Sequence, residues 1–207
     1  MDHNQPSAAE IVADAVVHVL GVLFAMGAIS FLFPKAAALE NGFSLVVYGC
    51  GLAGMLGASA VYNLWSGPAK EALRRLDHAM IFVMIAGSYT PFVVMRLNGS
   101  AAAWLGGVVW SGAVLGIVLK LLSPRRLERL SLALYLGLGW ALLLGFGSFM
   151  DAVAHSTLTL LVIGGVLYTM GVPIHLAHRL RFHDAVWHAC VLAAAICHFT
   201  AIAGEFV

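Results

Sequence analysis

Four short segments hold the residues able to do chemistry. Glu10, Asp14 and His18 recur at intervals of four, which places them on one face of a helix. Ser59 and Asn63 are four apart, Asp77 and His78 are adjacent, and Asp184 and His188 repeat the interval of four. All lie within or beside long apolar runs. An ionisable residue in a membrane span costs about 2.5–3.5 kcal/mol on insertion scales, so such a group is expected to be paired or functional. Asp184 and His188, one turn apart, suit a single cation, because carboxylate and imidazole both ligate divalent metals. The competing readings are a carboxylate that orients a histidine, or a helix N-cap at Asp184. Asp77 is likewise either an N-cap or a pocket carboxylate. Adjacent residues diverge on a helix, so Asp77 and His78 are not expected to face one pocket together. His198 lies about 15 Å along the axis from His188 and is expected to be a hydrogen-bonded interior histidine. His183 falls on a different face from His188. His175 and His178, beside Arg179 and Arg181, are expected to meet lipid headgroups. His3 and His155 are expected in exposed segments.

The elements that must position these residues are membrane spans. The chain has 207 residues, 61% hydrophobic and 10% charged, and a mean hydropathy of +0.94. A soluble chain carries about 25% charged residues, so lipid is the expected solvent. Net charge is +1 and the cations form no long run, which argues against a nucleic-acid partner. The first ten residues contain Asp2 and Glu10 and no Lys or Arg, unlike the basic start of a cleaved signal peptide. The first apolar stretch is therefore expected to be retained. Cys50, Cys190 and Cys197 sit in apolar runs with no Cys-x-x-Cys pair and read as small buried hydrophobes.

A span needs roughly 20 apolar residues. Seven stretches qualify, at about 11–33, 43–65, 77–96, 101–122, 130–150, 156–177 and 184–205. Short connections make sequential spans antiparallel neighbours. The predicted fold is all-α: one seven-transmembrane helix bundle over residues 1–207. Nine of the 11 Lys and Arg fall in the connections after spans two, four and six: Lys70, Arg74 and Arg75, then Lys120, Arg125, Arg126 and Arg129, then Arg179 and Arg181. Lys35 and Arg96 lie on the other side. The excess marks the first side as cytoplasmic, with the N-terminus inside and the C-terminus outside, the reverse of a G-protein-coupled receptor. Glu10, Asp14, His18, Ser59, Asn63, Asp77, His78, Asp184 and His188 then share one level near the cytoplasmic face. Pro91, after Ser88-Tyr89-Thr90, is expected to kink span three. Trp65, Trp104 and Trp187 sit near span ends, as interfacial belts do.

Four blocks carry a family resemblance: Glu10-Ile-Val-Ala-Asp-Ala-Val-Val-His18, Ser59-Ala-Val-Tyr-Asn63-Leu-Trp, Leu76-Asp77-His78-Ala-Met-Ile-Phe-Val-Met-Ile-Ala-Gly-Ser-Tyr-Thr-Pro-Phe92, and Ala185-Val-Trp-His188 with Cys197-His198-Phe. They resemble the hemolysin III proteins, the bacterial branch of the progestin and adipoQ receptor (PAQR) family, from about residue 7 to the C-terminus. The resemblance implies an integral protein of the bacterial inner (plasma) membrane. It also implies a zinc near the cytoplasmic face, held by one histidine from helix two and two from helix seven. A serine and an aspartate would stand beside it. Ser59, Asp77 and His188 match the serine, the aspartate and one histidine. Asn63 and Asp184 stand where the other two histidines belong, which weakens the case for zinc.

Three functions follow as expectations. The first is a metal-dependent lipid amide hydrolase resembling ceramidases, with His188, Asp184 and Asn63 at the metal, Asp77 as base and Ser59 as its orienter. The second is a non-catalytic protein of membrane homeostasis, lipid sensing or lysis. The third is a proton or ion pathway. Membrane lipids, and in the first case a lipid-like substrate, are the expected partners.

Overall fold

The structure, a computed structural model, describes residues 6–122 and 128–207. Arg125, Arg126 and His3 lie outside the described residues, as does the side chain of Arg129. The described chain is all helical. The helices are α1 (Ala8–Ala36), α2 (Phe43–Leu64), α3 (Lys70–Met95), α4 (Gly99–Leu122), α5 (Glu128–Gly139), α6 (Phe146–Ala152), α7 (His155–Leu176) and α8 (His183–Phe206). Six of these, α1–α4, α7 and α8, are long and apolar enough to cross a membrane. Sequential helices pack in pairs, and α1 closes the bundle against α8.

Over the expected fifth span, about 130–150, the helix is divided. A 3-10 turn, Ala141–Gly145, separates α5 from α6. The stretch contains Gly137, Gly139, Gly145 and Gly147, each costing about 1 kcal/mol of helix propensity relative to alanine. A break in an apolar setting exposes backbone groups that lipid cannot satisfy. Tyr89 of α3 satisfies two of them. Its hydroxyl donates to the Gly139 carbonyl at 2.8 Å and accepts from the Leu142 N–H at 3.0 Å. Trp140, at the break, donates from Nε1 to Thr169 Oγ1 of α7 at 3.0 Å.

Helix three differs from expectation at its start. It begins at Lys70, so Asp77 lies within the helix and is no N-cap. It also runs through Pro91 without interruption. The Ser88 and Thr90 hydroxyls bond back to the Ile85 and Ala86 carbonyls at 2.8 and 2.7 Å. Pro34 likewise sits inside α1, which continues to Ala36.

Large apolar residues such as Ile11, Val16, Leu23, Leu115 and Met170 face outward, as a lipid-facing surface requires. Cys50 is also exposed, against the buried role expected for it. Inside, helices approach closely at small residues. A Cβ added to Gly116 of α4 would lie 2.3 Å from the fully buried Phe82 ring of α3. Gly116→Ala is therefore expected to cost roughly 1–3 kcal/mol by overpacking. A lowered midpoint in a detergent thermal-unfolding assay is the check, and an unchanged midpoint would show that this contact is loose.

One end of the bundle is tied by Glu205. Its carboxylate meets Arg96 Nε at 2.6 Å, accepts from the Thr157 hydroxyl at 2.6 Å and from the Ala154 N–H at 3.1 Å. Arg96 also donates to the Glu205 carbonyl and lies over the Phe206 ring. The Glu205 side chain is only 5% exposed, so Glu205→Gln leaves poorly matched partners around a buried group. Hydrogen bonds to charged groups contribute about 1.5–3 kcal/mol, and a clear loss of thermal stability is expected. The exposed Glu40 supplies the control, since Glu40→Gln is expected to change nothing measurable.

Candidate functional site

The opposite end is built from α1, α2, α3 and the α7–α8 hairpin. Ser7 and Glu10 form a reciprocal cap on α1: the Glu10 N–H donates to Ser7 Oγ, and the Ser7 N–H and Oγ both donate to the Glu10 carboxylate. The other Glu10 oxygen accepts from the Phe182 N–H at 3.0 Å. Phe182 precedes α8 in the left-handed region, at φ 59°, a conformation that costs a non-glycine residue about 1–2 kcal/mol. Glu10 thus pins the hairpin to the start of α1, and it does not line the cavity.

One turn further along α1, the pinned helices bring three side chains together. Asp14 Oδ1 lies 2.6 Å from His188 Nδ1. A carboxylate only accepts, so Nδ1 carries the proton, and in the neutral ring Nε2 keeps its lone pair. Asp14 Oδ2 lies 3.4 Å from His18 Nε2. That nitrogen is buried and makes no hydrogen bond among the described residues. The two imidazole rings stand 4.4 Å apart and tilted at 54°. One ligand atom from each of Asp14, His18 and His188 lies within 4.8 Å of the others.

This donor set fits a divalent cation. Two imidazoles and a carboxylate are ligands that zinc accepts, at about 2.0–2.2 Å. Tetrahedral ligands at that distance are about 3.3 Å from one another. The His18–Asp14 separation matches this spacing, and the pair faces side by side without a hydrogen bond. The inherited positions contribute differently. Asn63 turns its amide back onto its own helix, donating to the Ser59 carbonyl at 2.9 Å. Asp184 is in the first turn of α8 behind the cap residue Phe182, so it is no N-cap. It is 55% exposed and lies beside His183 Nδ1 at 3.0 Å. Asp184 does not belong to the converging group among the described residues.

A cavity of about 380 Å³ adjoins these ligands and includes His18, Ser59, Asn63, Asp77, Asp184 and His188 in its wall. Asp77 is buried at 9% exposure. It stands near the Ser59 side chain and within electrostatic reach of His188 and His18. His78 lines the cavity as well, so the adjacent pair faces one space after all. Along α3 the cavity runs from Arg74 to Phe92, about 27 Å of helix. At its far end the lining includes Phe92 and Phe149, whose rings stand 5.2 Å apart. The deep wall is apolar except for groups such as Tyr168 and His198. The His198 ring meets Tyr168 at 5.6 Å, and its Nε2 lies 3.3 Å from the Leu161 carbonyl, which is the interior role expected of it.

Sequence reasoning placed Lys120 in a connection. It is instead buried at 3% within α4 and lines the cavity near Arg74 and His78. Tyr168 and Trp140 were not singled out as cavity residues, and nothing in a uniformly apolar run distinguishes them. Trp187, expected in an interfacial belt, packs on the cavity wall against His175 at 5.3 Å.

The chain has clear relatives. The family profile described as "Haemolysin-III related" matches residues 10–199. The "Hemolysin-3 homolog" of Bacillus subtilis (strain 168) is 31% identical over 194 residues, covering 92% of this chain and 91% of that protein. The "Hemolysin-3" of Bacillus cereus is 28% identical over 194 residues, covering 92% and 89%. The human "Monocyte to macrophage differentiation factor" is 26% identical over 206 residues, covering 96% and 85%. With its apolar helices and a family match across most of its length, this chain is a membrane protein of the haemolysin III family, the bacterial relatives of the PAQR proteins.

Proposed function

We propose that this chain is an intramembrane hydrolase of amide-linked lipids, with a divalent cation held by Asp14, His18 and His188. The observation that carries the reading is the buried His18 Nε2, left without a hydrogen bond beside Asp14 and His188 at the polar end of a long apolar cavity. When bound there, the ion would activate water and polarise an acyl carbonyl. Asp14 orients His188 through Nδ1 and fixes its tautomer. Asp77 serves as general base, within reach of the same end of the cavity, and Ser59 orients its carboxylate. The apolar wall down to Phe92 holds the acyl chain. Hydrolysis breaks the acyl C–N bond. Water supplies the hydroxyl of the released acid, and its proton reaches the leaving amine by way of Asp77.

The same reading places the polar end at the cytoplasmic face of a bacterial inner membrane. Lys70, Arg74, Arg75, Arg179 and Arg181 support that side, since cytoplasmic ends collect basic residues. The broken stretch from Glu128 to Ala152 is about 37 Å long at helical rise, enough for a seventh crossing of a core about 30 Å thick. Single cysteines at Arg126 and Asp151 are expected to label from opposite sides. Labelling from the same side would contradict the seventh crossing.

The activity is tested with purified protein in detergent and a fluorescent amide-linked lipid. Fatty-acid release that a chelator abolishes and zinc restores supports the proposal. Binding of the lipid without release in the zinc-loaded protein overturns it. That outcome would favour a non-catalytic lipid-binding protein, a reading to which the direct Asp14–His188 bond lends support because it is satisfied without an ion.

A further inference from the structure

The deep wall of the cavity carries a hydroxyl that nothing among the described residues engages. Ser88, Tyr89, Trp140, Tyr168 and His198 line this part. The Ser88 hydroxyl is taken by the Ile85 carbonyl, Tyr89 by Gly139 and Leu142, Trp140 by Thr169, and the His198 ring by the Leu161 carbonyl. The Tyr168 hydroxyl is shielded from solvent and has no hydrogen-bond partner. A phenol both donates and accepts, and an unmatched one in an apolar setting is costly. Its depth follows from the packing of α7 on α8. Gly171 lies against Trp187 and Gly164 against His198, so Tyr168 stands between those two levels. His188 and His198 are about 15 Å apart along α8, and the phenol is therefore part-way down the cavity, past its polar end. Tyr168 also points inward. It is within electrostatic reach of Tyr48 of α2, although α2 packs on α1 and α3 whereas α7 packs on α8. The Tyr48 hydroxyl is unpartnered too, but Tyr168 is the one of the two that borders the cavity.

We propose that Tyr168 is a specificity-determining residue that selects acyl chains carrying a hydroxyl near their middle. The proposal rests on the reading of the cavity as an acyl-chain site and names the kind of chain. A plain hydrocarbon passing Tyr168 leaves the phenol unmatched. A chain hydroxyl at that height gives it a partner and satisfies its own polar group in the same bond. Sites built around a polar group discriminate against the analogue that lacks its match. The matching group is neutral, because the charged residues of the wall, Arg74, Asp77, Lys120 and Asp184, belong to the polar end, whereas Leu142, Phe149 and Leu161 line the deep part.

The test is equilibrium binding of free fatty acids to full-length protein in detergent with zinc added. Octadecanoic acid is compared with isomers hydroxylated beside the carboxylate, at mid-chain and at the methyl end. Wild type is expected to bind the mid-chain isomer about tenfold more tightly than octadecanoic acid, the factor that one buried hydrogen bond supplies. The other two isomers are expected to gain nothing. Tyr168→Phe keeps the ring and its contact with His198. It is expected to erase the preference by losing affinity for the mid-chain isomer alone. Equal binding of all the acids by wild type, or a preference that survives in Tyr168→Phe, would overturn the proposal. The measurement needs no turnover, so it is read separately from hydrolysis. A mid-chain preference without amide cleavage keeps the subsite and removes the hydrolase, and cleavage that ignores the hydroxyl does the reverse. Circular dichroism and elution volume of the variant keep a folding defect from being scored as lost binding.

Discussion

His188→Ala is expected to release the tightly held metal, with affinity falling more than about 100-fold, since loss of a supporting hydrogen bond alone costs 10- to 100-fold. The side chain joins three functions in one ring. Its Nδ1 donates to Asp14 at 2.6 Å, its ring stands 4.4 Å from that of His18 at a tilt of 54°, and its side chain lines the cavity wall. Removing it leaves Asp14 with one unmatched oxygen and His18 without its neighbour. Asp14→Asn is the milder variant. Its amide oxygen can still accept from Nδ1, whereas the charge that favours a cation is gone, so an intermediate loss of about 10- to 100-fold is expected. The check is metal content by elemental analysis after exchange into a weak chelator, which strips loosely held ions first. Full retention of metal by His188→Ala would show that the ligands lie elsewhere.

Asp77→Asn is expected to reduce amide hydrolysis by about 10²- to 10⁴-fold, the usual contribution of a positioned general base. Metal content should be unchanged, because Asp77 lies outside the converging group. The separation of the two readouts matters. A structural role for Asp77 would lower stability and activity together. A role in proton transfer lowers the catalytic constant and spares lipid affinity and metal. Ser59→Ala is expected to act in the same direction by a smaller factor, since it orients the carboxylate and does not carry the proton. Activity of Asp77→Asn within twofold of wild type would remove this residue from the mechanism. Proton flux into liposomes, unaffected by the same variant, would exclude the ion-pathway reading.

Much of the fold was legible because the signals are local. Apolar length marked α1, α2, α4, α7 and α8 to within a few residues. The break in the fifth stretch was not legible because it depends on a hydroxyl from another helix: Tyr89 substitutes for the missing backbone bonds at Gly139 and Leu142. Helix three extends to Lys70 because Lys70, Glu71, Arg74 and Arg75 continue a helix that hydropathy cannot see. There Lys70 caps the end of α2 through the Tyr62 and Trp65 carbonyls, and Glu71 pairs with Arg74 at 2.9 Å.

The site was legible in part for the same reason. The interval of four put Asp14 and His18 on one face and named His188, but 174 residues separate Asp14 from His188, and no periodicity reports that contact. Glu10 was read as a pocket residue because it continues the same face. Its carboxylate is instead taken by Ser7 and the Phe182 N–H. Asp184 shares a face with His188, yet the left-handed turn at Phe182 starts α8 so that Asp184 sits at the exposed end with His183. Lys120 was assigned to a connection because cations at span ends usually are.

The central claim, a cation coordinated by α1 and α8 together, is tested most directly by X-ray absorption at the zinc edge on protein carrying one tightly bound equivalent. The expected spectrum shows two imidazole scatterers and oxygen at about 2.0–2.2 Å, with one imidazole lost in His18→Ala protein reloaded at high zinc. A first shell that is identical in wild type and His18→Ala, or that contains sulfur from Cys190 or Cys197, would contradict it.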